Sequence, residues 1–306
     1  LEDRNLIPVK DQELTELDRW IYTALNKAAT DAREALDSYR YNDAASAIYE
    51  FFWNNFCDWY VEATKLSFKH GDDHEKDRQI SVLLNVLEES LRLLHPYIPF
   101  VTEEIYSKLP LAKIIENRKQ AGEQKILPNS DYQSMLINAP YPETLDSRKD
   151  EKISARFGVL QDLIRNIRGL RNECGIDPAN KINVALLIEK GSDAEVCTEK
   201  VEMIQLLAGL SGIEFVESKP AKSIGTVGKG FEAFILIDDN INKDTLMAHF
   251  TKDLNKETSD AQKLEAKLSG KFAQFAPADV VQAEEDNLAQ IKRKIEKLTS
   301  YIETLK

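Results

Sequence analysis

From Asp11 onward, the apolar residues Leu14, Leu17, Ile21, Leu25, Ala28, Ala32 and Leu36 recur in steps of three and four. That spacing is one stripe of an amphipathic helix. Asn42 suits the N-cap of a second helix, whose buried face is expected to run Ala45, Ile48, Tyr49, Phe52, Phe56, Trp59, Ala63, Leu66. After a Gly-Asp-Asp turn, Ile80, Leu83, Leu84, Leu87, Leu91 and Leu94 mark a third helix. The segment His95-Pro96-Tyr97-Ile98-Pro99 stops it, because each proline disfavours helix in the residue before it. Pro99 then suits the first turn of a fourth helix ending near Leu109. These elements predict an all-α bundle.

The pattern loosens over 111–142, with prolines at 128, 140 and 142. It reads as a linker or insertion with a short helix at 111–121. Ile153, Phe157, Leu160, Ile164, Ile167 and Leu170 restore helical spacing. Then the period changes. Lys181–Ile188 has the β-branched content of a strand, 194–208 is helical, and Ile213–Val216, Ser223–Val227 and Phe231–Ile237 are short strands. Gly228 and Gly230 supply a turn between the last two. The tail carries two heptad seams: Met247, Phe250, Leu254, Ala261, Leu264, Leu268, with Glu257 in one seam position, and Leu288, Ile291, Ile295, Leu298, Ile302, Leu305. Two seams of similar length separated by Gly270 and Pro277 predict an antiparallel coiled-coil hairpin. With 25–28 residues per arm at ~1.5 Å per residue, it would extend about 40 Å. The expected fold is therefore mainly α: a helical bundle (1–142), a connecting helix plus a small α/β domain (143–240), and an antiparallel coiled-coil arm (241–306).

Composition narrows the function classes. The 306 residues are 42% hydrophobic and 30% charged, which suits a folded chain of two or three domains rather than a disordered one. Lys plus Arg is 40 against Asp plus Glu 52, a net charge of −12. A chain this acidic is not a general adhesive for nucleic acid or anionic membrane. The acidity is graded: residues 1–110 carry 12 basic and 21 acidic groups, whereas 243–306 carry 11 of each. Cys57, Cys174 and Cys197 form no CxxC pair, so neither a disulfide framework nor a cysteine-rich zinc site is expected, and reduced cytoplasmic thiols fit best. No apolar run approaches the ~20 residues of a membrane span. The opening LEDRNLIPVK has no signal-peptide pattern and no Met, and it is expected to continue a longer polypeptide.

No catalytic constellation and no metal site emerge. His70 and His74 are spaced i,i+4 but lack a third ligand and any HExxH pattern; surface or turn histidines are the simpler reading. Gly225-Thr-Val-Gly-Lys-Gly230 lacks the spacing of a phosphate loop and reads as a hairpin turn. The block Trp53-Asn-Asn-Phe-Cys-Asp-Trp-Tyr60 is mostly core, but Trp53, Asn54 and Tyr60 fall off the stripe and could offer a stacking surface. Arg165, Arg168 and Arg171 form a slanted strip whose planar forks suit phosphate, or simply pair with Asp162 and Glu173. The arm lysines Lys252, Lys256, Lys263, Lys267, Lys292, Lys294 and Lys297 are either ordinary coiled-coil flanks or a track for a phosphate backbone.

Specific blocks carry a resemblance. The stretches Phe51-Phe-Trp-Asn-Asn-Phe-Cys-Asp-Trp-Tyr-Val-Glu-Ala-Thr-Lys65, Leu93-Leu-His-Pro-Tyr-Ile-Pro-Phe-Val-Thr-Glu-Glu-Ile105 and Ala139-Pro-Tyr-Pro142 closely resemble the anticodon-binding domain of valyl-tRNA synthetases. So do Ile164–Arg171 with Asn172–Pro178, and Phe272 with Ala276–Val281 resembles the family's coiled-coil turn. Tyr106 stands where the family usually has Trp, Leu268–Phe272 looks shorter than the family's turn, and 111–130 reads as an insertion. The resemblance implies the C-terminal part of a class I enzyme that charges tRNA with valine using ATP and Mg. The catalytic signatures and the editing domain are absent from this stretch, so no cofactor is expected here and the piece alone is expected to be inactive. Its implied partners are tRNA(Val) and the catalytic domain of the same polypeptide, with a monomeric, cytoplasmic, non-membrane setting. Candidate contacts, chosen by chemistry, are Arg40, Tyr41, Trp53 and Asn54 for the anticodon, and Arg165, Arg168, Arg171, Lys263, Lys267 and Lys292 for phosphates. The rival expectation is a helical and coiled-coil scaffold for protein interaction without RNA binding.

Overall fold

The computed structural model describes residues 4–122, 124–126, 135–191, 193–237, 241, 243–270 and 277–305. The chain divides into two compact units, Leu1–Gly158 and Val159–Lys306.

In the first unit, α1 (Glu16–Asp37) starts at a reciprocal cap: Thr15 accepts from the Asp18 N–H while Asp18 accepts from the Thr15 N–H. This satisfies two of the donors a helix start leaves orphaned. The expected stripe is buried at Ile21, Leu25, Ala28 and Ala32. The next helix begins at Tyr41 with Arg40 as its N-cap, two residues before an Asn42 cap would start it, and follows a turn in which Tyr39 takes a left-handed φ of 58°. α2 (Tyr41–Tyr49) widens into a π-helical segment (Glu50–Val61) before α3 (Glu62–His70). The wider turn rotates the expected face. Phe51, Phe56, Trp59 and Tyr60 are buried, whereas Tyr49, expected inside, is exposed.

The central helix α4 (Asp73–Leu94) departs furthest from expectation. Leu83, Leu84, Leu87 and Leu94 are half-buried, while Arg78, Gln79, Asn85, Glu88, Glu89 and Ser90 are buried. Ser90 donates back to the Val86 carbonyl (2.6 Å), and polar clusters account for the others. Asp18 accepts from Tyr60 Oη (2.6 Å) and Arg78 Nη1 (2.6 Å), and Gln79 donates to Tyr60 Oη (2.9 Å). Further along, Arg148 grips Glu89 with both terminal nitrogens (2.7 and 2.9 Å), and its guanidinium lies 4.8 Å from the Tyr22 ring centre. Arg118 donates to Asn85 (2.7 Å) and to Glu88 (3.2 Å). Arg118 belongs to α6 (Leu111–Ala121), so the described part of the expected insertion is tied into the core. Between them, α5 (Pro99–Ser107) opens on Pro99 as expected.

The long helix α7 (Glu151–Glu173) reaches from the first unit into the second. The second unit holds a four-stranded sheet in the order β2-β1-β4-β3, with β1 Ile182–Ile188, β2 Leu210–Phe215, β3 Ser223–Gly228 and β4 Phe231–Leu236. β1 and β2 are parallel and are connected through α8 (Val196–Glu199) and α9 (Val201–Ala208), a pair interrupted at Lys200 where one helix was expected. β3 and β4 form an antiparallel hairpin through Lys229 and Gly230, the latter at φ 79°. The Gly-rich motif is thus a hairpin turn. The arm follows as α10 (Lys243–Ser269) and α11 (Ala278–Leu305). Its seam buries Leu246, Phe250, Ala261 and Leu264 on one helix and Leu298, Tyr301 and Leu305 on the other, with Phe250 against Tyr301 at 5.2 Å between ring centres. Glu257, the polar seam residue, is matched by Lys294 of the opposing helix. The turn containing Phe272 and Ala276 lies outside the described residues.

Candidate nucleic-acid interface

The π-helical segment decides which aromatic rings reach solvent. In an unbroken α-helix, Tyr49 and Trp53 would be four residues apart on one face, and here that face points outward. Their rings stack with planes 6° apart and centroids 6.4 Å apart, and Trp53 is 53% exposed. At the start of α2, exposed Tyr39 and Tyr41 meet edge to face at 6.5 Å. Asn54 is also exposed, whereas Tyr60 is fully buried with its hydroxyl on Asp18. Burial, reinforced by the Asp18 charge, pushes the Tyr60 phenol well above its usual range. Tyr60 therefore belongs to the core and not to a stacking surface.

A separate open cleft of about 590 Å³ lies between α1, α2 and the π-helical segment, and Tyr39, Tyr41, Tyr49 and Trp53 are not among the residues that line it. Trp20, Phe51 and small alanines supply its apolar wall, and Lys27, Asp31, Arg40, Asp43 and Asn55 its polar groups. Two ion pairs sit among them, Lys27 with Asp31 (2.5 Å) and Arg40 with Asp43 (2.8 Å). Glu34 and Glu50 add further carboxylates. Flat exposed rings can hold a planar heterocycle by stacking, and a cleft with mixed donors and acceptors can read a base edge by hydrogen bonds.

The arginine strip of α7 divides. Arg165 is exposed and pairs with Asp162 at 2.8 Å. Arg168 donates twice to the Leu207 carbonyl (2.9 and 2.6 Å). Arg171 is buried and donates to the carbonyls of Ala208, Gly209, Asp177, Pro178 and Asn180. Helix ends leave carbonyls unsatisfied, and these two forks cap the end of α9. Gly209 completes that cap at φ 68°, and a Cβ there would stand 2.4 Å from Arg171 Nη1. Arg168 and Arg171 thus do structural work that the expected phosphate strip did not foresee.

On the arm, the three candidate lysines all have carboxylate partners. Lys263 pairs with Asp260 on its own helix (3.0 Å), while Lys267 and Lys292 reach across to Glu284 and Glu265 (2.7 Å each). At the base, Glu173 of α7 receives Lys297 (2.7 Å), and the Glu173 carbonyl meets His249 Nε2 at 3.1 Å. His70 and His74 lie on different helices, α3 and α4, so they share no helical face. Among the described residues, no group of three or more His, Cys, Asp or Glu is arranged to hold a metal ion. No helix among them is long and apolar enough to cross a membrane.

Sequence reasoning passed over Tyr39 and assigned Tyr49 to the core. A signal for Tyr49 did exist: its i,i+4 relation to Trp53, which already lay off the stripe. For Tyr39 the deciding feature, a left-handed backbone, has no marker in a Ser-Tyr-Arg-Tyr sequence.

Two family models match the chain. Residues 18–186 match the anticodon-binding domain of tRNA ligase, and residues 244–306 match the valyl tRNA synthetase tRNA binding arm. The chain is similar to the valine–tRNA ligase of Treponema denticola, at 52% identity over all of this chain and 33% of that protein. It is also similar to those of Treponema pallidum (40% identity, 99% of this chain, 33% of that protein) and Petrotoga mobilis (32% identity, 100% of this chain, 33% of that protein). The chain therefore spans about a third of the length of these relatives.

Proposed function

The chain belongs to the anticodon-binding family of tRNA ligases and carries the tRNA-binding arm of the valyl type, and from that premise we propose that it holds tRNA(Val) for a valine–tRNA ligase. The observation that carries the reading is the exposed stacked pair Tyr49–Trp53, with Asn54 exposed beside it on the same helix. Single-stranded loops present unstacked bases, and an anticodon loop is such a ligand. Trp53, Tyr41 and Asn54 then meet the anticodon loop, with Arg40 placed to exchange its Asp43 partner for a base edge or phosphate. Exposed ion pairs are worth little, so such an exchange costs little. Along the arm, Lys263, Lys267 and Lys292 can make the same exchange toward a phosphate backbone. On α7 that role falls to Arg165 in preference to Arg168 and Arg171, whose forks are already committed to carbonyls.

Charging tRNA with valine would be the work of polypeptide outside this chain. ATP and Mg would be bound there, and no residue of this chain is assigned to either. The chain alone would be inactive, monomeric and cytoplasmic. A protein-interaction scaffold without RNA binding is set aside by the family to which the chain belongs.

The test is fluorescence anisotropy with a transcribed valine tRNA and a copy carrying a different anticodon. Stacking is worth ~1–3 kcal/mol per base, so Trp53→Ala should weaken binding of the valine tRNA about 5- to 150-fold. Equal affinity of the native chain for both tRNAs would sink the reading.

A further inference from the structure

Helix α1 ends in a way that its own residues do not favour. The Arg40 N–H donates to the Ala35 carbonyl (2.7 Å) and the Tyr39 N–H to the Leu36 carbonyl (3.0 Å). This pair of bonds closes a helix through one left-handed residue, a place ordinarily given to glycine. The end of α7 shows the ordinary choice. There the Ile176 N–H reaches the Arg171 carbonyl and the Gly175 N–H the Asn172 carbonyl (3.0 Å each), with Gly175 at φ 63°. In α1 the same slot holds Tyr39 at φ 58°. Among the described residues, every other positive φ belongs to a glycine. A bulky side chain here is strained, because its Cβ crowds the neighbouring carbonyl oxygen. Folding gains little in return. The Tyr39 ring is 79% exposed, and it meets Tyr41, itself exposed, edge to face with centroids 6.5 Å apart. Burial does not explain a tyrosine at this position. Residues that break a local rule without compensation gather where a site needs them.

From this mismatch we infer that Tyr39 is a base-stacking residue, which with Tyr41 forms a platform for an unpaired base of the bound tRNA. The inference rests on the tRNA reading above and adds a second base, separate from the one on Tyr49–Trp53. Tyr41 and Tyr49 lie at the two ends of α2, about 12 Å apart along the axis at ~1.5 Å per residue. One heterocycle does not span both ring pairs. An edge-to-face pair leaves ring faces open, and every base has a face to match. The bonds of the turn fix the backbone on either side of Tyr39, so its ring has little freedom left to lose on binding. Arg40, between the two tyrosines in sequence, adds an exposed guanidinium, the group that phosphate contacts use. Ser38, Arg40, Asn42 and Asp43 are polar and exposed. The rings are thus islands in a polar surface, which suits a base better than an apolar protein partner.

The test is the same anisotropy titration of the 306-residue chain with transcribed valine tRNA, extended to three variants. Tyr39→Gly gives the turn its ordinary residue, so the melting temperature should stay level or rise by up to about 4 °C. Its tRNA binding should nevertheless weaken about 5- to 150-fold. A residue kept only for structure would move both in the same direction. Tyr39→Phe retains the ring and should bind like the native chain. Tyr39→Gly combined with Trp53→Ala should weaken binding by the product of the two single losses, since separate sites add. Native affinity in Tyr39→Gly, with Trp53→Ala still weakened, overturns this inference and leaves the anticodon reading intact. A double variant no weaker than Trp53→Ala overturns the second platform by making the base a shared one. A Tyr39→Phe chain as weak as Tyr39→Gly would make the hydroxyl the contact and overturn stacking. A Tyr39→Gly melt clearly below native would assign the ring to the fold. A native dimer in sedimentation that Tyr39→Gly dissolves would give the rings to a second copy. If the native chain bound no tRNA, the anticodon reading and this inference would fall together.

Discussion

In the bundle, Arg148, Arg118, Glu88 and Glu89 are withdrawn from water and locked to one another and to Asn85. Along the arm, Lys267, Lys292 and Lys294 reach across the seam to Glu284, Glu265 and Glu257 with their ammonium groups in solvent. The two regions use the same residue types for opposite ends. Buried ions lose hydration and hold only when each partner is in place, so the bundle pairs fix a single arrangement of α4, α6 and the segment carrying Arg148. Exposed pairs gain little and are screened by salt, so the arm keeps cations that a polyanion can take over. A surface that must present fixed rings and a cavity benefits from the first device; one that must follow a flexible backbone benefits from the second.

The comparison is most directly broken at Arg148. Replacing it with Met removes both hydrogen bonds to Glu89 and the one to the Ile126 carbonyl (2.8 Å), and strands a buried carboxylate. The expected loss is ~3–5 kcal/mol of unfolding free energy, the range for breaking one side of a buried pair, read from urea unfolding of the 306-residue chain. A loss under ~1 kcal/mol would show that water already reaches this pair and that the bundle resembles the arm.

Acid should act on the same pair. Burial alone would raise the Glu89 pKa, but Arg148, with Arg118 and Arg92 behind it, outweighs burial and holds it down at about 2. In the unfolded chain the carboxyl titrates near its ordinary ~4.3. A depressed folded pKa contributes stability that is complete above the unfolded value and lost as pH falls through the folded one. The unfolding midpoint should therefore drop steeply between about pH 4.5 and pH 2. In Glu89→Gln that segment should be flatter than in the native chain. Parallel profiles for the two proteins would exclude Glu89 as the source.

The contrast also marks what the sequence could disclose. The arm was legible because one period runs through two long helices, and Phe250, Leu264, Leu298 and Leu305 lie in the seam where the heptads put them. Strand content and the β3–β4 hairpin followed from local composition in the same way. The bundle core was less so. Asp18 meets Arg78, and Glu89 meets Arg148, from positions 60 and 59 residues apart, and no local pattern shows such pairs. The expected stripe of α4 is buried at Ile80 and Leu91 and partly buried at Leu83, Leu84 and Leu87, but apolar spacing carried no sign of the buried polar residues beside it. Within the candidate interface, Trp53 and Asn54 emerged as exposed because they already fell off the stripe. Tyr49 did not, since a π-helical turn shifts the face by about one residue and leaves no periodic trace. Arg168 and Arg171 have the fork geometry of phosphate ligands, yet their partners are carbonyls at the end of α9, fixed by tertiary folding alone.

The smallest effect on stability, and the sharpest discriminator, is expected at Lys292. Its ammonium lies 2.7 Å from Glu265 with both side chains about half exposed, a pair worth no more than ~0.5 kcal/mol. Lys292→Gln should leave the thermal melt of the chain within a degree or two of native. If the lysine trades Glu265 for a phosphate when tRNA binds, one fewer counterion is displaced. The slope of log affinity against log salt should then become shallower by about 0.7 to 0.9. Arg148→Met carries the opposite signature, a large loss of stability with no cation taken from the RNA-facing surface. A Lys292 variant that melts much earlier while keeping the native salt slope would mean that the arm, like the bundle, spends its charges on holding itself together.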